Sequence, residues 1–324
     1  MSLSHHYPVP SSDMIRQSIA AGLAGIRRRP GLIALLYGMN LLLAFVLSVP
    51  VYFALQEAIG PTGFGEDLAR SFDVVLWADI LEKAGDVLQA IPFQLLWMVP
   101  LYLLWKVAAS VGLIHALRGE QIRPFWEGVG RYTGRAFLIA LLYIVLFAAG
   151  IVGIIVLTLI LNSVWPGEVG TFWVNFVIVP TAFISMVAVL DLMHDFANIA
   201  LVVEEKPVLQ ATLRGLRWPL KYGRASWLYL AWFVPAALLL LLPTVLDMTL
   251  TAGTGLAIFG LFLLQQLLLL LRAAMTVGWL GSEVAFFEAI WIQEAPLIAE
   301  EAVEMPSAPG QPWLDAEQDG FAPA

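Results

Sequence analysis

Six apolar runs, each long enough to cross a hydrocarbon core, restrict this chain to one kind of fold. They lie at about residues 31–55, 91–117, 136–162, 171–203, 225–246 and 256–280, and a helical span needs about 20 residues. Inside lipid a segment must satisfy its own backbone polar groups, so single runs of this length are helices. Composition agrees: 60% of the 324 residues are hydrophobic and 13% are charged, against roughly 25% charged in soluble domains. The expected fold class is all-α, a polytopic membrane protein of six transmembrane helices. These form three tandem helical hairpins with amphipathic surface helices on the cytoplasmic side.

Domain organisation follows from the same pattern. Residues 1–30 are a cytoplasmic start in which Ile15, Ile19, Leu23 and Ile26 share one face of an amphipathic helix. Residues 31–291 form the membrane domain. Residues 292–324 are Pro-, Ala- and Glu-rich without Lys or Arg, and read as a disordered acidic cytoplasmic tail. The first apolar run lacks a small-residue cleavage pattern and reads as an uncleaved span. Cysteine is absent, which removes disulfides, iron–sulfur clusters and thiol catalysis.

The cations are unevenly placed. Arg16 and Arg27–Arg29 precede the first span, Arg118, Arg123, Arg131 and Arg135 lie between the second and third, and Lys206, Arg214, Arg217, Lys221 and Arg224 between the fourth and fifth. The acidic excursion 56–90 carries only Arg70 and Lys83. An excess of Lys and Arg marks cytoplasmic loops, so both termini are expected in the cytoplasm. The 72–81 part of the excursion reads as a surface helix on the opposite side. Leu209, Leu213, Leu216 and Leu220 mark a further amphipathic helix on the basic side.

The chain repeats itself. LIALLY at 32–37 recurs at 138–143, Gly134-Arg135 is matched by Gly223-Arg224, and KVAASVGLI at 106–114 reads against RAAMTVGWL at 272–280. The fourth span fits the same frame with Asp191 opposite Lys106 and Arg272. The implied unit is a surface helix followed by a two-span hairpin, present three times in one orientation around a pseudo-threefold axis.

Charges inside the spans need partners, because an isolated ion there costs several kcal/mol or more. Asp191, His194 and Asp195 occupy one helix face at i, i+3 and i+4. With Lys106 and Arg272 they make a candidate intramembrane cluster in which the four full charges sum to zero. Three roles are open to it: a clasp between the even spans, a path for an ion, proton or solute, and a metal site using Asp191, His194 and Asp195. The last is weakened because His115 lies further along its span and a closed site wants four ligands. The tryptophans, Trp218 and Trp279 among them, sit where interfacial belts are expected.

No phosphate loop, nucleophile elbow or zinc-protease helix occurs, so neither an enzyme nor a cofactor is expected. FWEGVGRY at 125–132, DFANIALVVEEK at 195–206 and QATLRGLRW at 210–218 together resemble a group of uncharacterised bacterial six-span membrane proteins. More distantly they are similar to the membrane domain of glycerophosphodiester phosphodiesterases. The resemblance implies a bacterial cytoplasmic (inner) membrane; those phosphodiesterases work through a separate barrel that this chain lacks, so it carries over no catalytic residue.

The expected function is a membrane protein without a catalytic site that organises lipid or a membrane complex. Arg27, Arg28, Arg29, Arg131, Arg135, Arg217, Lys221 and Arg224 are its candidate lipid-headgroup ligands. The acidic tail is a candidate docking segment for a protein partner, and nothing points to nucleic acid. The alternative is a small solute, ion or proton transporter working through the intramembrane cluster.

Overall fold

A computed structural model describes residues 12–59, 85–118, 124–249 and 255–304. Among these the chain forms eight helices and no strand. They are α1 (Ser12–Arg28), α2 (Pro30–Ile59), α3 (Gly85–Leu117), α4 (Phe125–Val164), α5 (Glu168–Val203), α6 (Val208–Lys221), α7 (Arg224–Thr249) and α8 (Gly255–Glu304). Six of them, α2, α3, α4, α5, α7 and α8, are long and apolar enough to cross a membrane. The two shorter ones, α1 and α6, are amphipathic, with basic residues in their last turns where they complement the helix dipole.

Two boundaries and one internal turn differ from the regular spans expected. Residues 125–135 are not separated from the third span: α4 is one unbroken helix from Phe125 to Val164. Phe125, Gly128, Tyr132, Ala136 and Ile139 are all buried at helical spacing, so the surface segment and the span share one continuous face and nothing interrupts them. α8 continues to Glu304, past the expected start of disorder at residue 292. Within α5, residues Val174–Ile178 form a π turn just ahead of Pro180. Proline lacks an N–H and its ring collides with the carbonyl four residues back, and the wider turn makes room for it. The surface helix expected at 72–81 lies outside the described residues.

The packing is cyclic. α3, α5 and α8 touch one another pairwise and form the centre. α2 lies against α3 and α8, α4 against α3 and α5, and α7 against α8 and, through Tyr229, α5. Each surface element packs not on its own hairpin but on the inner helix of the preceding unit: α1 on α8, the start of α4 on α3, and α6 on α5.

All three of these contacts are built on a glycine. A Cβ on Gly22 would collide with the Gly278 carbonyl and Ser282. One on Gly128 would stand 2.5 Å from His115 Cβ and 3.2 Å from Gly112 Cα, and one on Gly215 would stand 2.5 Å from the Met193 carbonyl and 2.6 Å from the Ala197 nitrogen. Gly112, Ala197 and Gly278 are the equivalent positions of the repeat frame, each six residues after Lys106, Asp191 and Arg272. Small residues on both partners let the backbones approach, which is how helices gain contact where lipid offers no hydrophobic drive.

At the basic side the inner helices end on arginines. Arg118 Nη1 donates to the Val202 carbonyl at 3.0 Å and its Nε lies 3.4 Å from Glu288. Arg29 donates to the Ala116 carbonyl. Both satisfy carbonyls of a last helical turn and lie at its negative end. Burial, with the neighbouring Arg28 charge, lowers the Arg29 guanidinium from its ordinary range. Trp218 joins α6 to α5 and α8, its ring 4.8 Å from Phe196 and 4.6 Å from Phe287 between centroids. It is buried in the core and is not the interfacial anchor expected from the sequence.

Candidate functional site

α5 presents Asp191, His194, Asp195 and Asn198 along one stripe. Asp195 stands seven residues before Val202, hence about 10 Å inside the basic surface at 1.5 Å per residue. Four helices supply the neighbours. From α7, the Tyr229 hydroxyl donates to Asp191 Oδ2 at 2.9 Å. From α4, the Tyr143 ring meets His194 edge-on with centroids 5.1 Å apart. Within α5, Asn198 Nδ2 lies 3.2 Å from His194 Nε2, and His194 Nδ1 lies 3.9 Å from Asp195 Oδ1. From α8, Glu283 brings its carboxyl group within hydrogen-bonding reach of Asp195 and accepts a 2.8 Å bond from Trp279 Nε1.

The sequence-predicted cluster is therefore assembled only in part. Asp191, His194 and Asp195 are together. Lys106 is exposed on α3, close enough to act electrostatically on His194 and Asp195 but forming no ion pair among the described residues. Arg272 is exposed on α8 and forms no ion pair among the described residues; its backbone carbonyl accepts from the Thr276 hydroxyl. Positions equivalent in a threefold repeat share a depth but meet only at the axis, and Lys106 and Arg272 both face outward. The helix that was expected to bring a cation brings a third carboxyl group, Glu283. Sequence reasoning passed over it because it follows the expected end of the sixth span at residue 280. Its signal was there: it is the one acidic residue in 273–287, four residues after Trp279. Tyr143, Tyr229 and Asn198 were also missed, and only Asn198, at i+4 from His194, was readable from spacing. Among the described residues no group of three or more His, Asp or Glu is arranged to hold a metal ion.

A second site lies at the surface. α6 borders an open groove of about 490 Å³ lined by Lys206, Gln210, Leu213, Arg214, Arg217, Trp218 and Lys221. Glu204, 4% exposed, pairs with both Lys206 and Arg214, which holds those two cations in place and leaves the groove positive. Arg217 is exposed and makes no ion pair among the described residues. Lys221 lies over the Tyr222 ring at 5.0 Å.

The remaining candidate headgroup ligands divide by role. Arg27 and Arg28 are exposed at the end of α1, while Arg29 is half-buried on Ala116. Arg131 pairs with Glu205 at 3.0 Å, Arg135 packs on the Tyr132 ring and Arg224 is half-buried. Only Arg217 and Lys221 among the eight line the groove.

Fold and sites together define a six-span helical membrane protein with a polar cluster inside its helices and a basic groove on a surface helix. Compared with known proteins, the chain matches no family model, no curated protein and no solved structure.

Proposed function

We propose that this protein is a non-enzymatic component of the bacterial cytoplasmic membrane, with both termini cytoplasmic, that gathers anionic lipid headgroups on its basic face. The observation that carries the reading is the α6 groove. Four cations line it against the single carboxylate of Glu204, and the exposed Leu209, Leu213 and Leu220 of the same helix suit an acyl boundary beside it. Each Lys or Arg near an anionic surface contributes roughly 1 kcal/mol. Neutralising two should therefore weaken retention of an anionic lipid by more than about tenfold.

The test is native mass spectrometry of the purified full-length protein titrated with phosphatidylglycerol or phosphatidylcholine. The parent is expected to keep phosphatidylglycerol preferentially, and the Arg217→Gln/Lys221→Gln double variant to lose that preference with an unchanged melting temperature. Equal retention of both lipids by the parent, or of phosphatidylglycerol by the double variant, would sink the reading.

A second reading, proton or ion movement through the cluster, is supported by one observation: the side chains of His194 and Asp195 keep 22% and 16% of their surface accessible.

A further inference from the structure

We propose that Asp195 and Glu283 form a proton-holding pair inside the membrane, one proton shared between the two carboxyl groups. The inference is independent of lipid binding at α6 and gives the second reading a defined site. Glu283 is 1% exposed. One of its oxygens accepts from Trp279 Nε1, while the other, Oε2, is buried without a donor. A second acceptor, Asp195, lies within hydrogen-bonding reach of the same carboxyl group. Two ionised carboxylates in contact have no hydrogen bond to make and repel strongly in a low dielectric. A proton between them turns an acceptor–acceptor contact into a short charge-assisted O–H···O bond and removes one of the two charges.

The surrounding elements bring no cation that would do the same work. From α3, the Lys106 charge acts on Asp195 from a distance, but the side chain is exposed and forms no ion pair with either group. On α5, His194 stands 3.9 Å from Asp195, and Asp191 adds a third negative group, bonded to Tyr229 of α7. α4 contributes the Tyr143 hydroxyl and α8 the Trp279 N–H, neither of them charged. Asp195 keeps 16% of its side-chain surface accessible while Glu283 is enclosed. Tyr143 and Asn198 both contact His194, and Tyr143 Oη and Asn198 Oδ1 are buried without hydrogen-bond partners among the described residues.

Infrared spectroscopy of the full-length protein in nanodiscs, in H2O and D2O at neutral pH, tests the pair. The parent is expected to show the carbonyl stretch of a protonated carboxylic acid, shifting on deuterium exchange. Glu283→Gln and Asp195→Asn should each abolish it, since either amide supplies the missing donor and leaves the other carboxylate ionised. Absence of the band in the parent would overturn the inference, and the parent measurement decides this even if a variant fails to fold. A band that survives both substitutions would belong to Asp191 or another group and would equally overturn it. So would thermal stability that rises with added Na⁺ or K⁺ and no carbonyl band, because the pair would then be a cation site.

Discussion

At the scale of single residues the molecule is governed by three glycines and one carboxyl group. Gly215 illustrates the first. Its Cβ would meet two backbone atoms of α5, the Met193 carbonyl and the Ala197 nitrogen, and backbone cannot rotate out of the way as a side chain can. Gly215→Ala is expected to cost about 1–3 kcal/mol, the usual range for overpacking, read as a fall in the detergent melting temperature. Gly130, in α4, has nothing within 4 Å of its Cβ position. Gly130→Ala should therefore stabilise by about 0.5–1 kcal/mol through helix propensity alone. The two substitutions are the same chemistry, and opposite signs would show that contact decides between them. Glu283 illustrates the second case. The sequence displays one acid in an apolar stretch, but nothing local says that it faces Asp195, because the facing group is about ninety residues away on another helix.

At the scale of elements the largest sequence-to-structure differences concern where helices stop. Hydropathy marks where lipid begins, whereas a helix ends only where its hydrogen-bond pattern or its packing fails. α4 runs through the expected boundary because its buried stripe continues from Phe125 to Tyr143. α5 and α6 are separated at Glu205, the one non-glycine residue with positive φ among those described, at 53°. That conformation normally favours glycine. Glu205 is held in it by Arg131 and by the Tyr132 hydroxyl, 3.2 Å from its Oε1. Trp218 carries the packing of α6. Fully enclosed among Phe196, Tyr222, Phe286 and Phe287, it should cost about 3–5 kcal/mol on truncation to alanine. Chymotrypsin cleavage near α6 should be faster in Trp218→Ala than in the parent; equal protection would mean that α6 is held by something else. Arg118 joins α3 to α5 and α8, and Arg118→Ala should lower stability by about 1–3 kcal/mol because the Val202 carbonyl and Glu288 both lose their donor. Glu288→Gln should cost less, since Val202 keeps its bond; the comparison is read from paired thermal melts.

At the scale of the whole molecule, each surface element crosses to the inner helix of the preceding unit, so no hairpin is complete by itself. α1 closes the ring by packing on α8, joining the first and last described segments. Residues 12–28 are therefore structural despite their distance from the other spans in sequence. Deleting them should expose the face of α8 around Val277, Gly278 and Ser282, and lower both monodisperse yield and melting temperature. A truncated protein as stable as the parent would remove the cyclic account. The absence of cysteine makes the orientation directly measurable. Cysteine introduced at the exposed positions Arg28 and Ser226 should react with a membrane-impermeant maleimide from one side of the membrane. Cysteine at Val164 should react from the other, and labelling of all three from one side would contradict the six-span topology.

What the sequence determined by itself was whatever depends on a local property. The all-α class, the six spans and the amphipathic character of α1 and α6 follow from hydropathy and its period, which each segment carries alone. The repeat was also legible, and with it the matched positions Gly112 and Gly278, because a shared frame is a statement about sequence. Tertiary structure alone decided the partners. Two helices with the same depth and composition can be rotated or exchanged without altering either sequence pattern, so whether Arg272 or Glu283 faced Asp195 depended on packing between helices far apart in the chain. A charge inside a membrane announces that it needs a partner, and only the rotation and neighbours of its helix determine which one it has.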